Sequence, residues 1–249
     1  MSDSWVDIKS GFHVATRLLL ECRDSVGESN VCGDRRNALV WVDIGGRRIH
    51  RLCLSNDKHE AWQILEFPTS IGLRQDGGAI VGLRSRVALW DFGGAFHMLA
   101  IPEPDLPDNR LNEGRVAPDV SFTDTMQNTI FSFALRDGLL AARSVFHGPL
   151  DRDYPDGSCL DRQGRLWNCR VAGGSAIARV SPDGAFEDYV ELPCSWPTSC
   201  TFGSPRLDRL FVTSARFTMS ADHLALRPLE GCRFEFDVNS VDITEPRFG

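Results

Sequence analysis

Ser158-Cys159-Leu160-Asp161-Arg162-Gln163-Gly164-Arg165-Leu166-Trp167-Asn168, followed shortly by Ala176-Ile177-Ala178-Arg179-Val180, is the stretch whose reading decides the fold. It reads as a short strand, a polar turn at 161–164, a second strand and then a third. Asp and Gly supply the turn, while the β-branched and aromatic residues beside it suit a pleated, half-buried surface. The 3.6-residue spacing of an amphipathic helix is missing.

The same figure recurs on both sides. Upstream, Asn30-Val31-Cys32 passes through a turn at 34–37 into Leu39-Val40-Trp41-Val42-Asp43, then Arg48-Ile49-His50-Arg51-Leu52. Ile71-Gly72-Leu73 passes through Asp76-Gly77-Gly78 into Ala79-Ile80-Val81, and downstream Ser199-Cys200-Thr201-Phe202 leads through 204–208 into Arg209-Leu210-Phe211-Val212-Thr213. Aligning Val31, Leu73, Val116, Leu160 and Thr201 gives steps of 42, 43, 44 and 41 residues. A repeat of about 40–45 residues with up to four strands is the mark of a propeller blade. Such a unit hides its faces only against its neighbours. The expected fold is therefore an all-β β-propeller of five blade-length repeats, a single domain over 1–249.

One repeat is abnormal. Val116-Ala117-Pro118-Asp119 should open a turn and then a strand, but Val120-Ser121-Phe122-Thr123-Asp124 follows at once.

The net charge of -7 argues against a nucleic-acid partner, which needs clustered Lys and Arg. The longest basic cluster, Arg47-Arg48 with Arg51, is interrupted by Ile49 and His50. No apolar run reaches the ~18 residues of a membrane span, and residues 1–9 hold no signal-peptide core, so no membrane partner and a cytoplasmic location are expected. The eight cysteines form no C-x-x-C pair and no zinc-like cluster, which points to free thiols.

Four polar sites precede or open repeats: Glu28, Arg110-Leu111-Asn112-Glu113-Gly114, Asp156 and Thr198-Ser199. Singly, each reads as a turn. Equivalent positions of successive blades converge on the central channel, however, where oxygen ligands suit a hard divalent cation such as Ca²⁺ or Mg²⁺.

These segments, in order, carry a resemblance. Gly27-Glu28-Ser29 with Leu39-Val40-Trp41-Val42-Asp43-Ile44, Arg110 to Val116, Tyr154-Pro155-Asp156-Gly157, Leu192-Pro193 with Pro197 to Gly203, and Val212-Thr213-Ser214-Ala215-Arg216 resemble the senescence-marker-protein-30/gluconolactonase family, which includes regucalcin and bacterial sugar lactonases. The resemblance covers about Arg17 to Arg216. It implies a six-bladed propeller holding one divalent cation (Ca²⁺, Mg²⁺, Mn²⁺ or Zn²⁺) and hydrolysis of a sugar lactone. By motif, Glu28 and Asp156 are implied as metal ligands, Asp156 also as the catalytic base, and Arg110 and Asn112 as substrate contacts. The family usually has Asp where this chain has Glu113.

The family's third ligand, an Asn opening a strand before a Trp-Ser-Pro-Asp-Gly-like turn, has no match here. In family members about one blade separates the counterparts of Ala117-Pro118-Asp119 and Thr123-Asp124-Thr125. Here they nearly abut, so the start of one blade and the end of the next are expected to fuse into one hybrid repeat. Asp124 and Asn128 lie near the junction as possible replacements for the lost ligand. The alternative to a lactone hydrolase is a non-catalytic or degenerate propeller acting as a binding module, and an organophosphate-type esterase would use the same metal.

Overall fold

The computed structural model describes residues 5–6, 16–33, 37–102, 104–105, 120–136, 139–238 and 247–248. After β1 (Trp5–Val6) and β2 (Thr16–Leu20), the chain forms antiparallel sheets in strict succession. β3 (Gly27–Gly33), β4 (Ala38–Asp43), β5 (Arg48–Cys53) and β6 (His59–Gln63) make the first. β7 (Pro68–Leu73), β8 (Ala79–Leu83), β9 (Val87–Trp90) and β10 (His97–Ala100) make the second. β11 (Val120–Asp124), β12 (Thr129–Arg136) and β13 (Leu139–His147) make the third. The fourth holds β14 (Tyr154–Leu160), β15 (Leu166–Val171), β16 (Ala176–Val180) and β17 (Phe186–Glu191). The fifth holds β18 (Pro197–Gly203), β19 (Arg209–Ser214) and β20 (Arg233–Asp237), with the short helix α1 (Ala221–Leu226) between the last two. The fold is a β-propeller, as the repeat predicts.

The turn chemistry explains how each repeat folds back. Asp161 Oδ1 accepts the backbone N–H groups of Gln163 and Arg165, both at 2.9 Å, and its Oδ2 accepts the Trp167 indole N–H at 3.2 Å. One carboxylate thus closes the turn and fixes the aromatic residue of the next strand.

Burial falls from the inner strands outward. β3 and β18 are buried at every residue, β6 alternates, and β10 is exposed throughout. The core therefore lies between sheets. Trp167, Cys200, Phe202, Leu210 and Phe234 pack the fourth sheet on the fifth, and Val42, Ile49, Ile71, Val81 and Trp90 pack the first on the second. Each large apolar side chain buried this way contributes about 1.5–3 kcal/mol. All eight cysteines are free, six of them buried.

The two ends of the sequence meet by strand pairing. β2 joins β20, with Arg17 opposite Glu235 and Leu18 opposite Phe234, so the fifth sheet takes strands from both ends of the sequence. An Arg17–Glu235 ion pair reinforces the seam. The third sheet has three strands among the described residues and begins at Val120, at the abnormal turn. Its β11 lies beside β14, the inner strand of the next sheet.

Candidate channel site

The inner strands share one irregularity. Between the pairs Glu28↔Val42 and Val31↔Val40, strand β3 carries Ser29 and Asn30 against Trp41 alone. Between Pro155↔Arg170 and Ser158↔Asn168, β14 carries Asp156 and Gly157 against Cys169. Between Pro197↔Ser214 and Cys200↔Val212, β18 carries Thr198 and Ser199 against Thr213. Each is a β-bulge, a device that bends a strand and re-aims its side chains. A fourth shift falls between Pro68 and Ser70 on β7.

The bulges stitch neighbouring inner strands together. Ser29 Oγ accepts the Ile71 N–H at 2.9 Å, the Asn30 N–H reaches Ser199 Oγ at 3.4 Å, and the Thr198 hydroxyl donates to the Gly27 carbonyl. β14, β18, β3 and β7 therefore form a continuous arc of inner strands.

Glu28 lies on this arc, 3% exposed, with its Oε2 3.3 Å from the Ser29 backbone N–H. Asp156 is half-buried within its own bulge, with β18 between it and Glu28. The register corrects the sequence reading by one residue: Pro155 is the counterpart of Glu28, and Asp156 is the counterpart of Ser29. Arg110 and Asn112 lie outside the described residues.

Asp156 is held by a polar scaffold that sequence reasoning missed. Asn168 Nδ2 donates to the Asp156 carbonyl at 2.7 Å and to Ser158 Oγ at 2.9 Å. The Arg170 guanidinium donates to Asn168 Oδ1 at 3.1 Å, to Asn128 Oδ1 at 2.7 Å and to the Asp153 carbonyl at 2.7 Å, and its Nε donates to the Arg152 carbonyl at 2.9 Å. Asn128 also donates to the Leu150 carbonyl at 3.1 Å. Both ends of its amide are thus engaged in scaffolding. Asp124 ends β11, paired with Thr129.

A second polar cluster lies on the first sheet. Asp24, Asp43 and His50 are buried with ligand atoms within 4.8 Å of one another. Burial, then the Asp43 charge, pushes the Asp24 carboxyl up to about 6, while burial, then His59, holds the His50 imidazole down at about 3. The signal that could have found it is the hairpin register, which sets Trp41 opposite His50.

The family model described as "SMP-30/Gluconolactonase/LRE-like region" matches residues 26–122 and 119–216, so its match divides where the turn is shortened. A 6-deoxy-6-sulfogluconolactonase of Pseudomonas putida is 31% identical, over 90% of this chain and 94% of that protein. An L-arabinolactonase of Azospirillum brasilense is also 31% identical, over 93% and 94%. Among solved structures, a calcium-binding protein, regucalcin, of Agrobacterium tumefaciens superposes with a TM-score of 0.88 at 24% identity, covering 95% of this chain and 98% of that one. The alignment with the Pseudomonas protein spans 277 positions but draws on only 90% of a 249-residue chain, so about fifty of them lack a residue here, the length of one blade. With the family model matched over most of the chain, two relatives at 31% identity and the fold matched, the chain belongs to the SMP-30/gluconolactonase/LRE-like family.

Proposed function

We propose that this protein hydrolyses a sugar lactone at the channel mouth, with Glu28 and Asp156 holding one divalent cation. The observation that carries this reading is the retention of both carboxylates on bulged inner strands, in a chain 31% identical to two sugar lactonases. Fold alone would not support it. The donors fit the group: carboxylate oxygens, one of them almost fully buried, suit a hard cation that keeps several water ligands.

When bound, the cation polarises the lactone carbonyl and makes a nearby water more acidic. Asp156 takes a proton from the attacking water. The water oxygen adds to the carbonyl carbon, the ring C–O bond breaks, and the proton passes to the departing ring oxygen, giving the open hydroxy acid. Arg110 and Asn112 orient the ring and its developing oxyanion. Asn168 holds the Asp156 backbone carbonyl, and so the bulge that carries the carboxylate.

The second reading, a binding module without turnover, draws on the missing third ligand and the divided family match. Titrating Ca²⁺ and Mg²⁺ into the EDTA-treated protein during thermal unfolding separates the two. A saturable rise in Tm, lost in Glu28→Gln and Asp156→Asn and accompanied by gluconolactone hydrolysis, is expected; an excess of 100 times Kd stabilises by about 2.7 kcal/mol. A rise without hydrolysis would favour the binding module. No rise would remove the metal-dependent reading.

A further inference from the structure

The β4–β5 hairpin gathers groups that the channel does not use. Asp24, Asp43 and His50 are 1%, 0% and 1% exposed. Asp24 Oδ1 and His50 Nε2 face each other at 3.5 Å, and neither makes a hydrogen bond. Two ligands bound at about 2.0–2.1 Å to one tetrahedral ion stand at a similar separation.

The remaining polar atoms of Asp24 and His50, and one oxygen of Asp43, are already tied down. Asp24 Oδ2 accepts the Trp41 indole N–H at 2.8 Å, and His50 Nδ1 is 3.0 Å from His59 Nε2. Asp43 Oδ1 accepts the N–H groups of Val26 and Gly46, each at 3.0 Å. The His50 ring stacks on Trp41 with centroids 4.7 Å apart. Outer partners of this kind orient metal-binding imidazoles and carboxylates.

Arg48 fills the remaining place. Its NH2 lies 2.8 Å from Asp43 Oδ2 and 3.8 Å from Asp24 Oδ1, yet its side chain is 35% exposed and has solvent to swing into. Gly46 keeps that oxygen clear, since a Cβ there would lie 2.0 Å from Asp43 Oδ2.

We propose that Asp24, Asp43 and His50 form a second metal site, for a transition ion of the zinc class, which Arg48 closes in the metal-free protein and vacates on binding. One imidazole and two carboxylates favour Zn²⁺ or Co²⁺ over Ca²⁺ and Mg²⁺. The fully buried Arg233, whose guanidinium carbon lies 4.0 Å from the centroid of the Trp41 ring, stays in place and holds the affinity down.

The inference is independent of the channel reading, and one experiment separates them. Co²⁺ is titrated into the EDTA-treated full chain while its visible d–d absorption is followed, with Zn²⁺ then added to compete. One equivalent giving a tetrahedral-type spectrum is expected, retained in the Glu28→Gln/Asp156→Asn double variant and lost in Asp24→Asn and His50→Gln. Arg48→Gln, a change at a solvent-reaching side chain, should bind at least about tenfold more tightly, because it removes a competing charge. If the buried variants fail to fold, Arg48→Gln alone decides. No spectrum in the wild type overturns the proposal, as does a spectrum seen only in Arg48→Gln, or one that survives in folded Asp24→Asn; Asp24 would then be a buried acceptor for Trp41 and nothing more.

Discussion

Arg170 is 1% exposed, and its guanidinium donates four hydrogen bonds around the β14 bulge. Burial lowers its pKa, and carbonyl and amide oxygens surround its guanidinium. Replacing it with Met strands those acceptors, and each buried group left unsatisfied costs about 1–3 kcal/mol. Arg170→Met should therefore lose about 3 kcal/mol or more in urea unfolding, and Arg170→Lys should recover little, because an ammonium cannot reproduce the planar fork. A positioning role predicts more: Asn168→Ala, which cuts the link to the Asp156 carbonyl, should weaken Ca²⁺ binding about tenfold in calorimetry. Unchanged Ca²⁺ affinity in a folded Asn168→Ala would leave the scaffold purely structural. At this scale the place of Asp156 at the start of a repeat was legible from Pro-Asp-Gly, whereas the part of Arg170 was not. Arg170 lies on the following strand, and only the register brings it beside the bulge.

At the scale of the element, the β4–β5 hairpin was read correctly from its alternation and turn, but its polar residues were passed over because the histidines do not cluster along the chain. Pairing brings His50 against Trp41 on one side and Ala61 on the other, with His59 in ring contact. The facing groups, Asp24, Asp43, Arg48, His59 and Arg233, make the hairpin's stability depend on pH in two opposed ways. Asp24 titrates at about 6 when folded against an ordinary 3.8, so the native state holds its proton longer and stability falls as pH rises across that window. His50 titrates at about 3 against 6.5, so the unfolded state takes the proton first and stability rises with pH between those values. Between about pH 4 and 6 each slope is about 1.4 kcal/mol per pH unit and they oppose each other. Relative to the wild type, Asp24→Asn should gain stability as pH rises over that range, and His50→Gln should lose it. Urea midpoints taken every half unit would check this, and curves parallel to the wild type would sink the linkage.

For the whole molecule, the sequence period foretold the sheets and their order. It did not reveal how the two ends of the sequence meet, because the β2–β20 pairing joins segments more than 200 residues apart that lie outside the repeat. The shortened blade now bears on function. The family match divides at the shortened turn, the alignment with the Pseudomonas protein leaves about fifty positions without a residue here, and by resemblance the stretch that has no match at that turn supplies the third oxygen ligand. Affinity for a hard cation depends on how many protein ligands replace water and on how rigidly they are held. Grafting the missing segment of the Pseudomonas sulfogluconolactonase between Asp119 and Val120 should therefore tighten Ca²⁺ binding at least about tenfold and raise lactone hydrolysis with it. Glu28→Gln in the grafted protein should abolish both gains, which ties them to the channel rather than to general stabilisation. A folded graft that binds Ca²⁺ no better than the parent would mean that the two retained carboxylates, with water, already make a complete site, and that this chain's ring has settled into a self-sufficient shortened form.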